Sequence, residues 1–162
     1  MMKGGDEYRG REVPYVTLMR TTGYEVRDYP PDLEVISVDY TRRDEAYERL
    51  GREWSDSWGG GEGFKPSVVT VGGGGEKRME WGARWGEGEE GGWGRVACRV
   101  VRDALTEGTV RRETQILIEE LKRDGVGVRE EGGVRFAQYD EVFKMGGRYG
   151  EVWVNVEDDR WG

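Results

Sequence analysis

Apolar positions along the chain alternate with a period of two, change to the helical period, and return to two, and this succession occurs twice. After a polar, Gly-rich stretch over residues 1–12, read as a flexible lead-in, Val13 to Met19 reads as a short strand. A Thr-Thr-Gly turn separates it from a second strand, Tyr24 to Tyr29, which the prolines at 30 and 31 end, because proline cannot donate to a ladder. Leu33 to Tyr40 follows, rich in β-branched residues. From Arg42 to Trp54 the spacing of Ala46, Tyr47, Leu50 and Trp54 predicts a helix with one apolar stripe, with Thr41 as its N-cap and Asp44 and Glu45 in its first turn. A Gly-rich stretch, 59–63, leads to a strand over Pro66 to Val71; the Gly72 to Gly75 turn then predicts a hairpin partner from Lys77 to Ala83.

The second half repeats the order. Arg95 to Val101 reads as a strand; Thr109 to Asp124 as a helix carrying Val110, Thr114, Leu117, Ile118 and Leu121 on one stripe, capped by Gly125; Val134 to Tyr139 and Gly150 to Val156 as two strands. Residues 33–83 and 95–156 therefore both read strand, helix, strand, strand, a repeat of pattern without a repeat of sequence. The expected fold is α+β: two pseudo-symmetric units forming a curved antiparallel sheet or distorted barrel with two helices, a single domain over residues 13–162. The Gly- and Glu-rich stretch 87–94 joins the halves and reads as a surface loop, with a lid over a cleft as the alternative.

Seven Trp and eight Tyr change the picture of the core, because such side chains must carry much of the packing or line a site. The balance of 33 acidic against 25 basic residues, net −8, argues against a nucleic-acid partner. One cysteine, Cys98, precludes an internal disulfide and a multi-thiolate metal site, and fits an intracellular setting, cytoplasmic or plastid. No apolar run is long enough for a transmembrane helix, so a soluble chain is expected. Histidine is absent, which excludes Ser-His-Asp and Cys-His catalysis and a His-ligated heme iron.

Three segments carry a family resemblance. Pro14-Tyr15-Val16 followed by Gly23-Tyr24-Glu25-Val26-Arg27-Asp28-Tyr29-Pro30, then Leu117 to Asp124 with Gly125, then Ala137-Gln138-Tyr139-Asp140 with Glu151-Val152-Trp153-Val154, together resemble the SOUL heme-binding family, related to gyrase-inhibitor-like effector-binding domains. Departures fall at Lys65 to Val69 and at Phe143 to Tyr149. The resemblance implies two strand-helix-strand-strand units paired about a pseudo-twofold axis, and a non-catalytic carrier or sensor for a heme, tetrapyrrole or similar planar hydrophobic ligand.

Alternation in the last strand puts Val152, Val154 and Val156 on one face and Glu151, Trp153 and Asn155 on the other, the latter set being the mixture small-molecule pockets use. Glu25, Arg27 and Tyr29 share a face of their strand; Arg27 beside Tyr29 either holds a ligand carboxylate or pairs with Glu25 at the surface. The expected binding residues are Tyr24, Arg27, Tyr29, Tyr139, Glu151 and Trp153, with no metal ligands. Iron, if present, would need Tyr, Met or Cys, or the porphyrin would be held by apolar contact without a strong axial side chain; Met79, Cys98 and Met145 read first as packing. The alternative readings are a small-molecule hydrolase using Glu151 as base with Tyr139 positioning, and an accessory subunit of a pigment-protein assembly.

Overall fold

The computed structural model describes residues 13–30, 33–58, 64–85, 93–102, 105–129, 133–139 and 150–161. The lead-in, the glycine stretch 59–63, most of the joining segment 87–94, Asp140 and the loop carrying Met145 lie outside these. The strands are β1 (Val16–Arg20), β2 (Glu25–Asp28), β3 (Leu33–Tyr40), β4 (Phe64–Gly72), β5 (Lys77–Trp85), β6 (Arg95–Val101), β7 (Gly133–Gln138) and β8 (Gly150–Asn155). The helices are α1 (Arg43–Trp58) and α2 (Glu107–Arg123), with a 3-10 turn at Asp159–Trp161. Among the described residues no helix is long and apolar enough to cross a membrane.

All eight strands form one antiparallel sheet in the order β1-β2-β6-β8-β7-β4-β5-β3. The repeat of pattern is visible in that order. From the β4–β7 seam outward, the first unit runs β4, β5, β3 and the second β7, β8, β6, so corresponding strands occupy mirrored places. The β1–β2 hairpin extends the second unit beyond β6, and among the described residues no strand extends β3. The sheet is open rather than a barrel, with β1 and β3 as its edges.

Element ends shift where local chemistry intervenes. The strand expected from Val13 begins at Val16, after Pro14; Val13 and Tyr15 instead turn inward and pack. Helix α2 starts before Thr109, because the Thr106 hydroxyl accepts from the Thr109 amide at 3.1 Å and caps the first turn. Helix α1 starts at Arg43, one residue later than a Thr41 cap implies, and runs on to Trp58.

Both helices cover one face of the sheet. There Val26, Ile36, Val69, Met79, Trp81, Val152 and Val154 meet Ala46 and Leu50 of α1 and Val110, Leu117 and Leu121 of α2. Each fully buried side chain of this size contributes about 1.5–3 kcal/mol of transfer free energy. Alternation then commits every intervening residue to the opposite face, which no helix among the described residues covers.

Candidate functional site

On that second face a smaller cluster forms from Tyr29, Val68, Val96, Cys98, Ala137, Tyr139 and Trp153 of the strands and their ends, roofed by Val13, Tyr15 and Trp93 from outside the strands. Tyr29 lies 5.1 Å from Trp153 between ring centres, and Trp93 stands edge-on to both at 5.4 and 5.3 Å. The register explains the grouping. Asp39, Arg78, Thr70, Arg135, Trp153, Cys98 and Glu25 stand directly opposite one another in a row from β3 to β2. One step along, Ser37, Glu80, Val68, Ala137, Glu151 and Val100 form the next row.

Within the cluster lies a buried ion pair. Glu151 is 0% exposed and Arg27 5%. The guanidinium donates from Nη1 to Oε1 at 2.8 Å and from Nη2 to Oε2 at 2.6 Å, a bidentate fork. Oε1 also accepts from the Tyr139 hydroxyl and the Trp153 indole, each at 3.0 Å. Arg27 Nε donates to Glu25 at 2.6 Å, and Glu25 in turn accepts from Arg20. Tyr15 stacks on the guanidinium, 4.3 Å from its carbon to the ring centre. Arg27 thus does pair with Glu25, but as one arm of a larger buried network whose fork is taken by Glu151.

Burial raises the Tyr139 hydroxyl far above its ordinary range, and the Glu151 charge adds to it. Tyr29 is raised too, chiefly by burial. Cys98, wholly enclosed, is pushed up by burial and then by Glu151, so it is a neutral thiol. Burial alone would raise the Glu25 carboxyl, yet hydrogen bonds from Arg27 and Arg20 outweigh it and hold it below the usual carboxylate range.

Arg27, Tyr29, Tyr139, Glu151 and Trp153 are therefore brought together. Tyr24 is not: it faces the helices, where its hydroxyl donates to the Asp124 carboxylate at 2.7 Å. Met79 is likewise on the helix side, fully enclosed.

Open space lies on the other side of Trp153. A cavity of about 720 Å³ sits at the end of the sheet where β4 stops and β7 begins. One wall comes from the helix face: Tyr40, Thr114, Ile118, Val134 and Val154. The other comes from the uncovered face: Thr70, Arg78, Glu80, Arg135, Trp153 and Asn155. Arg135 Nη1 donates to Asn155 Oδ1 at 2.7 Å, while the Asn155 amide donates to the Trp93 carbonyl at 3.2 Å. Thr114 is buried with its hydroxyl unpartnered in the helix-side wall. Burial raises the Glu80 carboxyl, and Arg135 and Arg78 only partly offset this.

The sequence placed Asn155 beside Trp153 but passed over Thr70, Glu80 and Arg135. Alternation could have found Arg135, two steps from Ala137 and four from Tyr139 on one face of β7. Glu80 and Thr70 needed the seam pairing between the units. Trp93 had no periodic signal, and Tyr15, read as part of a strand from Val13, instead precedes the strand that forms.

No family model matches this sequence, and no curated protein matches it. Among the described residues no group of His, Cys, Asp or Glu is arranged to hold a metal ion.

Proposed function

We propose that the chain is a SOUL-like binding module that holds a planar hydrophobic ligand, of which tetrapyrroles are the leading class, without transforming it. The observation that carries this reading is the cavity beside Trp153. Its volume, about 720 Å³, falls within the roughly 300–1,000 Å³ common for small-molecule sites. Apolar groups from α2, β7 and β8 offer a surface for a flat ligand face, and the polar wall on the other side meets its edge. The mirrored units are the arrangement the family resemblance implies.

This geometry favours the hydrolase reading less. Both Glu151 oxygens are engaged and the carboxylate is sealed from solvent, so a substrate reaches it only by displacing Arg27 or Trp153. Among the described residues, axial ligation of heme iron by a thioether or thiol fits no better, and Met145 lies outside them. Met79 is enclosed on the helix side, and Cys98 is a neutral thiol within the aromatic cluster. The ligand on this reading is held by contact and by its polar edge.

Titration with hemin and with iron-free protoporphyrin tests this. Saturable quenching of Trp emission at a 1:1 ratio, with a shifted pigment absorbance for both, is expected. Unchanged spectra at micromolar pigment would remove the proposal.

A further inference from the structure

We infer that the cavity recognises its ligand through a carboxylic acid group held between the open edge of the Arg135 guanidinium and the Glu80 carboxyl, the two acids sharing one proton. This rests on the binding reading above and says what the ligand's polar edge must be. Arg135 on β7 and Glu80 on β5 project from the same face, on either side of β4, and both line the cavity. Strands two apart are separated by roughly 10 Å. That distance and the one-step offset between their rows keep the pair from meeting directly. Among the described residues neither makes a salt bridge. Arg135 is anchored at one corner only, through Nη1 to Asn155 at 2.7 Å, which leaves Nε and Nη2 as a fork of the shape that suits a carboxylate.

The groups facing Glu80 decide its charge. From β3 come Ser37 directly and Asp39 on the diagonal; from β4, Val68 and Thr70; along β5, Arg78; and across the seam, Arg135. Asp39 and Arg78 pair with each other at 3.0 Å in exposed positions, so they largely cancel. What remains is one guanidinium and one partly buried carboxyl. Burial raises the carboxyl more than the two arginines lower it, which shifts it toward its neutral form. A ligand carboxylate brought against ionised Glu80 would meet a like charge. Protonated, Glu80 donates to that carboxylate instead, and Arg135 balances the single remaining negative charge. Binding thus takes up one proton from solution, and the affinity falls as pH rises above the free protein's Glu80 titration, by about tenfold per pH unit.

The experiment compares 1-pyrenebutyric acid with its methyl ester on the intact protein, with Trp emission as readout between about pH 6 and pH 8. The acid is expected to bind more than about tenfold tighter than the ester at the lower pH. Its advantage shrinks as pH rises, while the ester stays level. Calorimetry in two buffers of different ionisation enthalpy should register net proton uptake for the acid alone. Glu80→Gln should keep the acid tight and flatten its pH profile; Arg135→Gln should bring the acid down to the ester. Equal binding of acid and ester, or acid affinity that grows with pH, overturns the shared-proton site while the binding module stands. If acid, ester and both pigments all fail to bind, the binding reading falls and this inference with it.

Discussion

The Arg27 guanidinium is the most heavily committed side chain on the uncovered face, and its surroundings set what substitution there does. Its fork spans the Glu151 carboxylate, its Nε reaches Glu25, and Tyr15 covers its flat side. Removing one partner of such a pair leaves the other charged and enclosed, which typically costs about 3–5 kcal/mol. Arg27→Met alone should lower the urea-unfolding free energy by that amount, and Glu151→Leu alone likewise. The double variant should lose much less than the sum, a result only coupling between the two positions produces. Glu80 behaves in the opposite sense. Its carboxyl is raised in the folded chain, so the folded state holds a proton that the unfolded chain releases nearer 4.5. Stability is unaffected below that value and declines as pH climbs from it to the folded titration. Glu80→Gln should therefore raise the melting temperature at neutral pH and leave it nearly unchanged near pH 4. Glu25, lowered in the folded chain, contributes stability above 4.5 that is lost on acidification through its folded value.

Helix α2 shows how a segment only 17 residues long is fixed at both ends. Thr106 closes the start, and at the finish Val126 donates to the Leu121 carbonyl at 2.9 Å around Gly125, whose φ is +75°. A methyl group there finds open space, its nearest neighbour Arg160 at 3.9 Å, so Gly125→Ala should cost only the left-handed conformation, about 1–2 kcal/mol by chemical denaturation. Gly127→Ala should cost more, because its methyl collides with the Glu157 backbone carbonyl. The elements themselves were legible in the sequence, since each helix keeps one apolar stripe and each strand its alternation. Two things were not. Thr106 lies outside the apolar stripe and announces itself only by its hydroxyl. Val13 and Tyr15 fall in a segment read as strand and Trp93 in one read as a joining loop, yet all three pack as core residues from outside the strands, so the roof over Trp153 could not be read from spacing. The faces of β8 were assigned correctly, Val152 and Val154 under the helices and Glu151 and Trp153 away from them, yet period alone does not say whether the second face is open or roofed.

Across the whole molecule the mirrored units meet at the β4–β7 seam, and the β1–β2 hairpin is added on one side only. Strand β8 is paired on both sides and lies under α2, whereas β1 is an edge with Val16 63% exposed. Amide hydrogen exchange should accordingly be slowest in β8 and fastest in β1, with β3, the other edge, faster than β5 beside it. Uniform protection across the sheet would contradict the order of strands. The candidate chemistry divides along the same seam. The added hairpin brings Glu25, Arg27 and Tyr29 against the second unit, which closes that half of the face; among the described residues the first unit has no counterpart and keeps its space. A saturation-mutagenesis map of this chain should consequently be lopsided. Substitutions at Arg27, Tyr29, Cys98, Glu151 and Trp153 would be purged in a screen for folded protein, while Ser37, Asp39 and Arg78, at matching depth across the seam, would accept most residues. The half that cannot vary supports the half that can, so the open half can change its surface chemistry without renegotiating the fold.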